Sequence, residues 1–207
     1  MNRSDLSETD IRTKFITPAL KKAGWDIQRQ IREEKYFTDG RIRVRGSVAT
    51  REKGKKADYI LYYKRGIPLA VIEAKDYNHS LGAGMQQAID YGEILDIPFV
   101  YSSNGTGFLE HDRTKETGRI ETELGIDHFP SPEELWRRYR ESKGFSEEEE
   151  ELVKQPYHFE QGGRTLRYYQ EIAVNRTVEA IAKGRDRILL VMATGTGKTL
   201  TAFQIIW

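Results

Sequence analysis

The sequence of 207 residues contains no cysteine, which excludes disulfides, thiol catalysis and cysteine-ligated zinc. Its four histidines are scattered and offer no metal-ligand spacing, so any metal here is expected to be oxygen-ligated Mg²⁺ or Mn²⁺. No apolar run approaches the ~20 residues of a membrane span. The polar start Met1-Asn-Arg-Ser-Asp-Leu-Ser-Glu8 is no secretory signal, so a soluble, cytoplasmic protein with no membrane partner is expected. Excess charge of one sign is lacking too: a net charge of +1 gives the whole chain no general attraction to nucleic acid. Internal repeats are absent.

Charge is instead distributed unevenly. Residues 41–56 carry Arg41, Arg43, Arg45, Arg51, Lys53, Lys55 and Lys56 against Glu52 alone, whereas 147–151 is an unbroken run of glutamates. The basic run reads either as a solvated hairpin or as a phosphate contact, and the acidic run as a solvated linker. At about 150 residues per domain, the length predicts one full domain and part of a second.

The most specific segment is Arg187-Ile-Leu-Leu-Val-Met-Ala-Thr-Gly-Thr-Gly-Lys-Thr199, an apolar stretch that reads as a strand running into a nucleotide-phosphate loop. Thr194, Gly195, Thr196 and Gly197 form the loop, whose glycines let the backbone approach phosphate without a Cβ clash. Lys198 supplies the cation and Thr199 the hydroxyl for Mg²⁺, with Leu200 to Trp207 starting a helix whose N-terminus faces the anion. Met192 stands where the general pattern has its first glycine, and Met-Ala-Thr-Gly-Thr-Gly-Lys-Thr instead resembles motif I of superfamily 2 helicases and translocases. Such motors need an acidic pair and usually an arginine finger well downstream of this loop. The chain is therefore expected to be the front of a longer protein, and by itself not to hydrolyse ATP.

Upstream, Ser7-Glu-Thr-Asp10 has the form of a capping box, and Ile11, Phe15, Ala19, Leu20 and Ala23 recur on one helical face, predicting a helix over roughly 8–23 with a kink at Pro18. Extended stretches follow at 25–32, 41–49, 57–63 and 68–75, with Arg65-Gly66 marking a hairpin between the last two. Leu69 to Ile72 is continuously apolar, as in a central strand covered on both faces. A helix over about 82–95 and a strand at 98–102 complete a right-handed parallel crossover. Weaker strands are expected near 107–111 and 119–123, and Ser131-Pro-Glu-Glu-Leu-Trp136 is a helix start.

On this frame Asp58 begins one strand, and Glu73 and Lys75, two apart on the central strand, share a face. Adjacent acids repel and are stabilised by a divalent cation, and an amine beside them can orient a nucleophile or stabilise a phosphorane-like charge. That is equipment for metal-assisted phosphodiester hydrolysis. Gln87 and Tyr91 follow at i and i+4 on one face of the next helix. Read without the acids, they are a surface glutamine and a core tyrosine.

Asp58 … Glu73-Ala-Lys75 on a hairpin after an N-terminal helix resembles the PD-(D/E)xK nucleases, and Gln87-Ala-Ile-Asp-Tyr91 resembles the Q-x-x-x-Y element of nucleases fused to translocases. With Phe129-Pro-Ser-Pro-Glu-Glu-Leu-Trp136 as connector and motif I at the end, the resemblance to the R subunits of type I restriction enzymes covers essentially the whole chain. It implies an α/β fold: a restriction-endonuclease-like mixed sheet flanked by helices over 1–145, an acidic linker at 146–163, and the truncated start of a RecA-like P-loop domain over 164–207. It implies Asp58 and Glu73 as metal ligands for Mg²⁺ (or Mn²⁺), Lys75 as catalytic, and Gln87 and Tyr91 as supports for DNA or the lysine. Glu8 matches an acid that such nucleases bring from the first helix; a simple helix-start acid is the other reading. Arg167-Tyr-Tyr-Gln170 resembles the adenine-reading segment, with Gln170 on adenine and Arg167 supporting; an ordinary helix-start glutamine is again the alternative.

The implied activity is ATP-dependent endonucleolytic cutting of unmodified double-stranded DNA, with ATP and Mg²⁺ at the motor and with specificity and methyltransferase subunits as partners. Two alternatives stay open: a nuclease-fold DNA-binding module without catalysis, and another nuclease-helicase fusion such as a type III-like defence enzyme.

Overall fold

A computed structural model describes residues 3–36, 42–45, 48–51, 54–158 and 166–207. The N-terminal helix begins as α1 (Glu8–Ile11), and Ser7 and Asp10 close the expected capping box reciprocally. It then widens into a π-helical turn over Arg12–Ile16 before α2 (Thr17–Lys22), with the Thr17 N–H reaching back to the Arg12 carbonyl. Proline lacks the N–H that would serve the Lys14 carbonyl, so the irregularity precedes Pro18, which sits in the first turn of α2.

Residues 25–32 were expected to be extended, but Asp26 Oδ1 accepts the Gln28 and Arg29 N–H groups at 2.9 and 3.1 Å and ties 27–30 into a turn. Strand β1 (Ile31–Tyr36) starts only after it. The 41–49 stretch divides into the hairpin β2 (Ile42–Arg45) and β3 (Val48–Arg51); Arg41 and Lys53 of the basic run lie outside the described residues.

Strands β4 (Lys56–Lys64) and β5 (Ile67–Ala74) form the hairpin marked by Arg65-Gly66, with Gly66 at φ 85°. Helix α3 (Met85–Leu95) then crosses to β6 (Phe99–Ser103), which pairs parallel with β5, and β7 (Gly107–Asp112) and β8 (Glu121–Gly125) add on antiparallel. The result is a six-stranded mixed sheet of order β1-β4-β5-β6-β7-β8, flanked by helices. Leu69, Ala70, Val71 and Ile72 are all 0% exposed because β5 is central and covered on both faces. One face packs on Ile11, Ile16, Leu20, Trp25 and Phe129, the other on Met85, Ala88, Tyr91 and Leu95 of α3. Trp25 also donates its indole N–H to the Pro130 carbonyl at 2.9 Å, which fixes the connector to the core.

Helix α4 (Pro132–Lys143) is capped by Ser131 as expected, and Trp136 stacks on Tyr63 at 4.6 Å. The glutamate run, expected to be a solvated linker, is helix α5 (Glu147–Val153), capped by Ser146 with Glu149. Glu150 is buried, accepting from the Trp136 indole at 2.6 Å and from Arg140 at 2.8 Å, with Lys154 also paired to it. Burial alone would raise its carboxyl, but these partners outweigh it and hold it down at about 2.

Helix α6 (Tyr168–Ala182) lies against the sheet hairpin, where Asn175 donates to the Gly66 carbonyl at 2.8 Å and receives the Tyr157 hydroxyl at 2.5 Å. Arg164, the expected start of the last unit, is outside the described residues. Residues 187–193, expected as a strand, are in no strand; Leu189 is 88% and Val191 83% exposed, and no described strand lies beside them to pair with. Helix α7 (Lys198–Ile206) follows. Among the described residues no helix is long and apolar enough to cross a membrane.

Candidate nuclease site and phosphate loop

The antiparallel pairing of β4 with β5 brings Asp58, near the start of one strand, beside Glu73, near the end of the other. Asp58 Oδ2 accepts the Ala74 N–H at 2.8 Å, which ties the first carboxylate to the backbone next to the second. Lys75 donates to Glu73 Oε1 at 2.7 Å, and Glu8 of α1 comes within 3.8 Å of the same ammonium. The structure thus places Asp58, Glu73, Lys75 and Glu8 together.

Glu73 is 4% exposed and its Oε2 is buried without a hydrogen-bond partner. Burial, with Asp58 adding like charge, pushes its carboxyl up to about 7. Burial opposes the charge on Lys75, but the Glu73 hydrogen bond and the surrounding acids raise its pKa, so it stays an ammonium. Space for Glu73 comes from Gly84, where a Cβ would fall 2.9 Å from Glu73 Cγ and 3.0 Å from Ser102 Oγ. Ser102 in turn accepts the Gly84 N–H at 3.0 Å. Neither Gly84 nor Ser102 carries a signal of this in the sequence.

Gln87 is exposed and donates to the Tyr91 hydroxyl at 2.7 Å, while Tyr91 is 7% exposed and packs in the core of α3. Burial raises the Tyr91 phenol, with the charges of Glu73 and Asp58 adding to the shift. The Lys55 ammonium stands 5.9 Å over the Tyr91 ring, and Lys56 pairs with Glu34 at 3.1 Å.

The second constellation is separate. Gly195 and Gly197 adopt φ 77° and 83°, and Gly197 caps α7, so the Thr194-Gly-Thr-Gly-Lys-Thr199 turn runs directly into a helix N-terminus. Lys198 and Thr199 are exposed there. Gln170 is buried and clamps the turn, its amide donating to the Thr196 carbonyl at 2.9 Å and accepting the Arg167 N–H at 2.9 Å. Arg167 is exposed, with its guanidinium on the Tyr169 hydroxyl at 3.2 Å.

A mixed sheet carrying an acid, a second acid and a lysine, followed by a glycine-bracketed Lys-Thr turn at a helix N-terminus, is the class of architecture found in restriction-endonuclease-like nucleases joined to motors. Residues 26–130 match the family described as Type I restriction enzyme R protein N terminus (HSDR_N), and residues 164–207 match that described as Type III restriction enzyme, res subunit. The chain belongs to the type I restriction enzyme R protein N-terminal family.

The endonuclease subunit of type I restriction enzyme EcoAI from Escherichia coli is 50% identical over 208 residues, covering 100% of this chain and 26% of its own length. That of EcoKI from Escherichia coli strain K12 is 28% identical over 251 residues, covering 98% of this chain and 21% of its own. The chain therefore spans about a quarter of the length of the curated relatives it matches. A solved fragment assigned as an HsdR subunit of a type I restriction enzyme from Vibrio vulnificus YJ016 superposes with a TM-score of 0.84 at 45% identity, over 98% of this chain and 38% of that one.

Proposed function

We propose that residues 1–145 are the Mg²⁺-dependent DNA endonuclease domain of a type I restriction enzyme R subunit, with 146–163 as a connector and an ATP-driven translocase beginning at 164. The single observation that carries this reading is the buried, unpartnered Oε2 of Glu73 beside Asp58 and Lys75. A carboxylate oxygen removed from water without a partner costs several kcal/mol unless a proton or a cation meets it. Hard carboxylate oxygens suit Mg²⁺ or Mn²⁺. Among the described residues no group of three or more His, Cys, Asp and Glu is arranged to hold a metal, so water, a backbone carbonyl and the DNA phosphate would complete the coordination of Asp58 and Glu73.

A cation bound there would neutralise charge on the phosphate oxygens and acidify its water. Lys75, held as an ammonium by Glu73, orients the attacking water and stabilises the negative charge developing on the phosphate. Gln87 and Tyr91, hydrogen-bonded to each other on α3, contact the DNA backbone or hold the lysine in place; Glu8 adds a further acid beside Lys75. At the other end, Thr194 to Thr199 would hold the ATP phosphates and the Thr199 hydroxyl a Mg²⁺, with Gln170 and Arg167 as adenine readers after Gln170 releases Thr196.

In this reading the partners are double-stranded DNA and the specificity and methyltransferase subunits, and cutting of unmodified DNA follows translocation. The match of 164–207 to a family named for type III enzymes keeps a type III-like fusion as the second reading. Plasmid cleavage by the full-length complex with Mg²⁺ and ATP tests the proposal. Lys75→Ala should abolish cutting while ATP hydrolysis continues; retained cutting would remove Lys75 from the mechanism. Wild-type protein that takes up no Mn²⁺ by titration calorimetry would leave a DNA-binding module without catalysis.

A further inference from the structure

Arg12 lies one helical turn after Glu8, at the start of the π turn, and its side chain is only 8% exposed. Its guanidinium donates to Glu34 at 2.8 Å and to Glu33 at 3.3 Å, and lies 3.6 Å from Asp58 Oδ1. It also covers the Tyr59 ring at 5.3 Å, while its buried Nε has no hydrogen-bond partner. Such a group is a poor stabiliser, because an apolar side chain of similar volume would serve a core as well or better. What it supplies is a second fixed point for Asp58, whose other oxygen is held by the Ala74 N–H.

The anchors of Arg12 are themselves constrained. Glu34 sits between the pairs Glu33↔Tyr59 and Lys35↔Ala57, hence opposite Asp58, and adopts φ 49°, a left-handed conformation that a side-chain-bearing residue rarely takes. Among the described residues Arg12 and Lys56 pair with Glu33, Glu34 and Asp58, while Lys75 pairs with Glu73 and Glu8, so each of the two carboxylates, Asp58 and Glu73, has its own basic partner.

We propose that Arg12 is a positioning residue that holds the Asp58 carboxylate at the orientation in which it and Glu73 face a single divalent cation. This rests on the metal-site reading above. Its signature is a sign. Bare Coulomb attraction predicts that removing a positive charge beside Asp58 tightens cation binding, whereas loss of positioning weakens it.

The test is Mn²⁺ titration calorimetry on this chain, with circular dichroism to establish folding, for wild type, Arg12→Gln, Arg12→Lys and the control Arg29→Gln, whose side chain is 88% exposed. Arg12→Gln should weaken Mn²⁺ about tenfold or more. Arg12→Lys keeps the charge but not the fork that reaches three acids, and should weaken it severalfold; Arg29→Gln should not change it. Wild type without Mn²⁺ binding would overturn the metal-site reading itself. Wild type that binds, with folded Arg12→Gln binding equally or more tightly, overturns only the role of Arg12. If Arg12→Gln does not fold, unchanged affinity in folded Arg12→Lys overturns it, and so does loss of fold in both, which would make Arg12 purely structural.

Discussion

Leu69-Ala-Val-Ile72 and Ile188-Leu-Leu-Val191 are matching apolar runs, yet the first is 0% exposed throughout and the second is 41–88% exposed. The first lies between β4 and β6; the second has no described strand on either side. An apolar run expresses a demand for burial, and only its neighbours satisfy it. The same contrast extends to chemistry. Burial forces Glu73 to need a partner, whereas Lys198 stands in solvent and its turn keeps its shape through the glycines and Gln170.

The largest expected effect sets the two runs directly against each other. Ile72→Ala should cost about 2–5 kcal/mol in urea unfolding, and Leu189→Ala within about 0.5 kcal/mol. Equal costs would break the comparison.

Glu73 sharpens it through pH. Its carboxyl is raised from 4.5 to about 7 in the folded chain, so the folded state binds the proton more tightly than the unfolded one. The stability this contributes is fully present below about pH 4.5 and is lost as pH rises through about 7. Metal-free Glu73→Gln should therefore exceed wild type by on the order of 3 kcal/mol at about pH 8, and the gap should close at about pH 4. A gap that does not depend on pH would mean that Glu73 is not desolvated as described.

Gly66→Ala comes next, at about 1–2 kcal/mol by thermal melting, because a Cβ there meets the Tyr157 ring at 2.7 Å in a left-handed backbone. It should also weaken the seat of α6, which Asn175 anchors on the Gly66 carbonyl. The smallest effect is Gln170→Ala, expected below about 1 kcal/mol in stability. Its readout is faster amide exchange over 194–199 with β4 and β5 unchanged; unchanged exchange in the loop would show that the Gln170 clamp is not what orders it.

Much of the fold was legible because it depends on short-range chemistry. Ser7 and Asp10 satisfy N–H groups within one turn, Arg65-Gly66 allows the left-handed corner of a hairpin, and the spacing from Leu69 to Val100 leaves room for one crossover helix. The convergence of Asp58 with Glu73 and Lys75 followed from the period of two along β5 and the hairpin before it. Arg12 went unread because nothing near it in sequence announces that its partners are Glu33, Glu34 and Asp58, more than twenty residues away. Helix α5 was missed because five consecutive glutamates repel one another in isolation, and only Trp136, Arg140 and Lys154 make Glu150 an asset.

By itself, then, the sequence determined the helix caps, the β4–β5 hairpin, the crossover to β6, the candidate residues and the family resemblance, since caps, turns, side-chain alternation and a glycine-bracketed Lys-Thr are properties of neighbours along the chain. Only the tertiary structure decided that Glu73 is desolvated with an unpartnered oxygen, that Arg12 is buried against Asp58, and that 187–193 finds no strand to pair with. Burial and pairing depend on groups distant in sequence, and the energies they set, several kcal/mol for a carboxylate removed from water, are ones that no local pattern contains.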